Sequence, residues 1–305
     1  LFVLNILVQK VHEVLSLNER TLATIKGGIT ILLWSFSALF ISFTPEIPPF
    51  LLACLTSAAG FLLFSFRWLG DYKRLINTLL QPARIWLLFA VAVIAYRGFY
   101  ISGLKTTSTL EANLINYLWP VFIVLFAALI DKRRISVSLV LASLISFVGV
   151  FCIGISQSGG VFDWQLSNGH LLALLAAICW SGYSVATKRI TATPNDMIGV
   201  MHLMAAVIFY LFHHFFEVPV IWQNVDLLHW LAVFQLGVAI SLGYSWWDIA
   251  MTKGNQQQIA IGANFIPLLS TFWLILLGRQ NLTYLVLIAA VLILSGSYLA
   301  KRSQT

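Results

Sequence analysis

Two asparagine–proline stretches stand inside apolar runs, where both residue types are costly. The first is Asn116-Tyr117-Leu118-Trp119-Pro120 and the second is Asn264-Phe265-Ile266-Pro267. A proline in a helix interior removes one backbone N–H and crowds the carbonyl one turn back. An amide in the middle of an apolar helix needs a partner, on another helix or in a ligand. Paired interruptions at matching places in two halves of a chain point to a transport site near the bilayer midplane. The copies differ in spacing, Asn-x-x-x-Pro against Asn-x-x-Pro, so Asn116 and Asn264 hold different angular positions ahead of their prolines.

The runs around these stretches carry aromatic residues at helical spacing. Trp34 shares a face with Thr30 and Ser37, and Tyr96 with Tyr100. Trp119 lies with Asn116 and Ala112, and Trp180 with Tyr183 and Ser184. Tyr244 lies with Trp247, and Tyr117 sits inside the first stretch itself. Indole and phenol rings offer broad apolar surface with one polar tip, and their faces attract cations. One cavity with aromatic walls is the functional reading. The competing readings are helix packing and interfacial belts, and the mid-run positions of Trp34, Trp119 and Trp180 fit a belt poorly.

Arg97, Glu111 and Asp248 are the charges within the runs, and such residues are functional candidates by default. Their expected depths pair Arg97 with Glu111, as a static clamp or as part of an outer gate. Asp248 falls near Lys188 or Lys253. No catalytic motif is present: no His-Glu-x-x-His, no Gly-x-Ser-x-Gly, no phosphate-binding loop. His213, His214 and Glu217 cluster, but read better as surface groups than as metal ligands. The chain is therefore expected not to be an enzyme and to need neither metal nor cofactor.

Composition says which elements must hold these residues. Of 305 residues, 60% are hydrophobic and only 10% charged, against about 25% charged in a soluble domain. Most of the chain must lie in lipid. An all-α membrane protein with ten transmembrane helices follows, at 24–43, 49–66, 85–103, 108–130, 135–155, 168–187, 196–216, 228–251, 256–278 and 282–300. If residue 1 lies in the cytoplasm, the cytoplasmic segments take 15 of the 18 lysines and arginines. That asymmetry predicts cytoplasmic termini. It also explains the net charge of +7 without nucleic acid.

The spans repeat. The Trp-Ser pairs at Trp34 and Trp180 are 146 residues apart, and Pro120 and Pro267 are 147 apart. Residues 24–155 and 156–305 thus read as two five-helix repeats. Because five is odd, the second enters the membrane from the opposite side, an inverted repeat around a central cavity. Residues 1–23 read as an N-terminal amphipathic segment at the membrane surface, with Leu1, Leu4, Val8, Val11 and Leu15 on one face.

The ten spans, the five-plus-five repeat and the Asn-x-x-x-Pro stretch resemble the EamA-type branch of the drug/metabolite transporter superfamily. Within it, Leu33-Trp34-Ser35, Ile115 to Pro120 and the Gly243-Tyr244 to Pro267 region resemble bacterial aromatic amino acid exporters. The resemblance covers residues 24–302. It implies a basket-like bundle in the inner membrane that moves amino acids outward, and together with the aromatic walls it leads to the reading of a secondary transporter that exports aromatic or bulky apolar amino acids by alternating access. It also implies an aromatic lining from helices 1, 3, 4 and 6, at Trp34, Tyr96, Tyr100, Trp119 and Trp180. Pro120 and Pro267 would be hinges. The partners expected are a small-molecule substrate and the lipid bilayer, with no nucleic acid, and a monomer is compatible with the sequence. Aromatic walls also suit a nucleoside derivative, a methyl-donor compound or a cationic drug. A receptor or a membrane enzyme is the remote alternative.

Overall fold

The structure, a computed structural model, describes residues 19–132, 137–157, 167–187 and 196–302. The amphipathic segment expected at 1–23 falls outside these residues except at its end, where the first described helix starts at Glu19. Among the described residues there are helices and no strand. In chain order they are α1 Glu19–Ser35, α2 Ser37–Ile41, α3 Pro49–Ser65, α4 Tyr72–Leu79, α5 Ala83–Ala90, a π-helical turn Val91–Ala95, α6 Tyr96–Thr106, α7 Thr109–Asn116, α8 Trp119–Ile130, α9 Val137–Gln157, α10 Asn168–Ala186, α11 Asp196–Phe216, α12 Leu227–Lys253, α13 Gln256–Gly262, α14 Phe265–Leu276 and α15 Tyr284–Arg302.

Local chemistry sets the helix starts. Pro49 is the first residue of α3 and Pro82 directly precedes α5, positions where a missing N–H has no intrahelical partner to lose. Ser108, Asp226 and Asn255 each accept a backbone N–H three residues on, from Glu111, His229 and Gln258, all at 3.2 Å. These side-chain caps satisfy donors that the first turn leaves open.

Joined end to end, the helices of the described residues give eight segments long and apolar enough to cross a membrane: Glu19–Ile41, Ala83–Thr106, Glu111–Ile130, Val137–Ser156, Asn168–Ala186, Asp196–Phe216, Leu227–Lys253 and Gln256–Leu276. Pro49–Ser65 and Tyr284–Ala300, at the second and tenth expected spans, are apolar but shorter. The protein is therefore an all-helical, multi-pass membrane protein. Its helices pair lengthwise: α1 on α12, α6 on α10, α3 on α11, and α9 on α15. The last pair is close because Gly149 has no side chain. A Cβ there would stand 2.8 Å from Ile293 Cγ1 and 2.9 Å from the Ala289 carbonyl oxygen.

The two proline stretches do not bend continuous helices, as the sequence suggested. They divide them. Tyr117 and Leu118 separate α7 from α8, and Ala263 and Asn264 separate α13 from α14. The bonding is the same at both breaks. Tyr117 N–H donates to the Asn113 carbonyl at 2.9 Å and Leu118 N–H to Ile115 at 3.1 Å; Ala263 donates to Ile259 at 3.0 Å and Asn264 to Ile261 at 3.1 Å. Each break therefore places its proline in the first turn of a new helix, where its missing N–H costs little. The phase differs by one residue: Pro120 is the second residue of α8 and Pro267 the third of α14.

Candidate functional site: an aromatic cavity

These interruptions surround a cavity of about 570 Å³. It reaches from the connection at Thr44 to Pro48 down to a cluster of indole and phenol rings. Eight of the residues expected in a site border it: Trp34, Tyr96, Tyr100, Asn116, Tyr117, Trp119, Trp180 and Tyr244. They come from α1, α6, α7, α8, α10, α12 and the break between α7 and α8, so no single helix builds the site.

Trp180 is the centre of the cluster and is 2% exposed. Its ring lies 5.5 Å from Trp34, 5.2 Å from Tyr96, 6.4 Å from Trp119 and 4.9 Å from Tyr244, centroid to centroid. The contacts with Trp34 and Trp119 are edge-on, an arrangement that the ring quadrupoles favour. Trp34 is fixed at the other end of its ring by donation of its indole N–H to the Ala239 carbonyl at 3.2 Å. It also fills the space above Gly243, where a Cβ would lie 3.0 Å from its Cε2. Tyr96 and Tyr100 are stacked with centroids 6.1 Å apart and planes 6° apart, and Tyr100 donates its hydroxyl to Asn113. The π-helical turn Val91–Ala95 immediately precedes Tyr96, and such turns recur at functional sites.

Polar groups are few. Asn116 is 4% exposed, and its side-chain oxygen has no hydrogen-bond partner among the described residues. An unsatisfied buried amide oxygen costs about 1–3 kcal/mol, which a bound donor would recover. Ser181 donates its hydroxyl to the Trp119 carbonyl at 3.0 Å and ties α10 to the start of α8. At the far rim, Glu46 accepts from His229 at 2.5 Å, which holds its carboxyl below the usual range.

Three of the expected site residues do not border the cavity. Tyr183, Trp247 and Asn264 are 1%, 0% and 0% exposed and lie behind the lining. Trp247 is one helical turn beyond Tyr244, 5.3 Å from Trp34 and 5.4 Å from Trp119, with its indole N–H donated to Ser184 at 2.9 Å. It supports the floor instead of forming it. Tyr183 packs against Trp180 at 5.7 Å and Phe89 at 5.6 Å. Asn264 turns its amide back on the Ile261 carbonyl at 3.2 Å, so it serves the helix break.

The expected Arg97–Glu111 pair does not form. Arg97 lies nine residues before the end of α6, about 13 Å along the axis at 1.5 Å per residue, whereas Glu111 is in the first turn of α7. Glu111 instead accepts from Thr107 at 2.7 Å and meets His170 Nε2 at 3.1 Å. Arg97 bonds to α3: to Ser57 Oγ at 2.5 Å, Thr56 Oγ1 at 2.9 Å and the Ala53 carbonyl at 3.2 Å. It borders the cavity, as does Thr56. Sequence reasoning missed Thr56-Ser57, although a pair of hydroxyls amid an apolar run is a signal that something must bond to them. Lys253, one candidate neighbour of Asp248, is paired with Glu19 at 2.7 Å. The other, Lys188, lies outside the described residues.

A multi-pass helical bundle enclosing an aromatic cavity is the architecture of a membrane transporter. The chain belongs to the EamA-like transporter family, whose description matches residues 24–155 and again residues 167–301. It is 34% identical over 288 residues to the aromatic amino acid exporter YddG of Ancylobacter novellus, covering 92% of this chain and 98% of that protein. It is 27% identical over 290 residues to the YddG of Salmonella typhimurium, covering 91% and 96%. A protein crystal structure superposes with a TM-score of 0.84 at 33% identity, over 94% of this chain and 100% of the other. The protein is thus a transporter and not an enzyme.

Proposed function

We propose that this protein is a secondary transporter that exports amino acids with aromatic or bulky apolar side chains across the bacterial inner membrane by alternating access. The observation that carries the reading is the cavity itself, walled by Trp34, Tyr96, Tyr100, Trp119, Trp180 and Tyr244. Flat rings accept a flat side chain by stacking. The unpartnered oxygen of Asn116 suits the amino group of the same ligand. The relatives named as aromatic amino acid exporters support the substrate class.

The mechanism rests on two inverted halves of five spans each, 24–155 and 156–305. Four relations support that division. The family description matches twice. The two helix breaks repeat 146 residues apart. α1 packs on α12 as α10 packs on α6. The Trp-Ser pair of each half meets the broken span of the other: Ser181 bonds to Trp119, and Ser35 to Ser270 and Trp273. In this reading the shorter apolar helices Pro49–Ser65 and Tyr284–Ala300 complete ten spans, both termini are cytoplasmic, and the cavity faces outward. Pro120 and Pro267 act as hinges, and rocking of the halves exposes the aromatic floor to either side. A monomer suffices, because the cavity is enclosed by one chain.

Counterflow in liposomes tests this. Vesicles loaded with unlabelled phenylalanine should accumulate labelled phenylalanine, tyrosine and tryptophan. If no amino acid exchanges while a nucleoside or a cationic drug does, the reading is wrong.

A further inference from the structure

The cavity holds a cation that the aromatic reading leaves unused. Arg97 is 8% exposed, lies within an apolar span and borders the cavity. A guanidinium in the membrane interior is costly unless it is paired or serves a solute. Its partners in the protein are all neutral: the hydroxyls of Ser57 and Thr56, the carbonyl of Ala53, and the ring of Phe209, 5.2 Å from the guanidinium carbon.

No carboxylate lies within ion-pair distance of it among the described residues. Glu46 is held by His229, Glu111 by His170, Glu217 by Lys105 and Asp196 by Arg67 and Arg74. Asp248 does not border the cavity and lies beside Thr187 and Tyr183. A guanidinium carries five N–H donors in a planar fork. Three are engaged with the protein, which leaves two without an acceptor among the described residues. A planar fork with free donors and uncompensated charge matches a carboxylate. The hydroxyls of Thr56 and Ser57 hold the fork in place without neutralising it.

We propose that Arg97 binds the carboxylate of the transported molecule, so that the cavity selects acids and zwitterions and rejects amines of the same shape. This rests on the reading of the cavity as a transport site. The ligand then spans the cavity, with its ring against the aromatic cluster and its anionic end at α3 and α6. The charge of Arg97 also counts against a cationic drug as substrate.

The test is competition against labelled phenylalanine in the exchange assay. The competitors are phenylalanine, 3-phenylpropionate, which keeps the carboxylate without the amine, and phenethylamine, which keeps the amine without the carboxylate. With the natural sequence, 3-phenylpropionate should compete and phenethylamine should be at least about tenfold weaker than phenylalanine. In Arg97→Gln that preference should vanish, and Arg97→Lys should restore part of it. Equal competition by phenethylamine and phenylalanine overturns the proposal while leaving the transport reading intact. So does an unchanged preference in a folded Arg97→Gln. Absence of phenylalanine exchange with the natural sequence overturns both. If Arg97→Gln does not fold, the competitor ranking on the unaltered protein decides alone.

Discussion

Trp34 and Trp180 meet edge to face, with ring centroids 5.5 Å apart, although 146 positions of sequence separate them. Each lies in one of the two stretches that match the family description, so the cavity floor is built where those stretches touch. Their surroundings are not equivalent. Trp180 packs against six aromatic rings and is 2% exposed, whereas Trp34 is only half buried. Trp180→Ala should therefore act mainly on stability, by about 3–5 kcal/mol. Trp34→Ala should act mainly on substrate affinity. Melting curves and exchange affinities measured on the same preparations separate the two, and the reverse order would contradict the assignment of floor and wall.

Gly243 is the back wall against which Trp34 rests. A methyl group there would collide with Trp34 Nε1, besides meeting Cε2 at 3.0 Å and Cδ1 at 3.2 Å, and would push the indole off the Ala239 carbonyl. Gly243→Ala should lower stability by about 1–3 kcal/mol and weaken substrate binding together with it. Adding Trp34→Phe should recover part of the stability, since the smaller ring makes room. A double variant no better than the sum of its parts would place the damage elsewhere.

Pro120 lies in the first turn of α8, so removing it should change stability little. Alanine there supplies the N–H that can reach the Asn116 carbonyl and join α7 to α8. A joined helix resists rocking. Pro120→Ala should slow exchange by about tenfold, equivalent to about 1.4 kcal/mol on the barrier, with substrate affinity nearly unchanged. Pro82→Ala, in the connection before α5, is the control and should exchange at the normal rate. Rapid exchange in Pro120→Ala would remove the hinge role.

Glu217 links three helices at one end of the bundle. It accepts the Phe50 and Leu51 N–H groups at 2.9 and 3.2 Å, Lys105 at 2.9 Å and His213 at 3.0 Å. Burial alone would raise its pKa, but the Phe50 N–H, Lys105 and His213 outweigh it and hold the carboxyl below 4.5. A depressed carboxyl stabilises the fold above its unfolded value, and that contribution is lost as pH falls through the folded one. Glu217→Gln should cost about 2 kcal/mol near neutral pH. The difference in melting temperature from the natural protein should shrink on acidification below about pH 4.5. A difference that is constant with pH would show that the charge contributes nothing.

Direction was legible in the sequence, and depth was not. Helical spacing placed Trp34, Tyr96, Asn116, Trp119, Trp180 and Tyr244 on faces that do converge. The same spacing put Trp247 with Tyr244 and Tyr183 with Trp180, but the cavity ends above them. Periodicity gives the angle of a side chain about its helix and says nothing of where the hollow stops. The Arg97–Glu111 pairing failed for a related reason, because the heights of the two residues depended on assumed span ends. Asn264 failed through its own flexibility: a short amide beside a broken turn bonds to the nearest carbonyl, and no spacing rule forbids it. The prolines carried their physics openly, since an absent N–H in an apolar run leaves the chain little choice but to start a new helix.

The π-helical turn at Val91–Ala95 has a consequence for how this span tolerates change in length. A wide turn holds one residue more than an α-turn while its flanks stay in line. Losing one residue inside 91–95 would convert it to ordinary helix and leave Tyr96, Arg97 and Tyr100 in phase with the cavity. The same loss between Tyr96 and Tyr100 would swing everything beyond it by about 100°, at 3.6 residues per turn. Five small and branched residues just ahead of the site thus act as slack, the one place in the span where a deletion can be absorbed without turning the wall of the cavity away from its ligand.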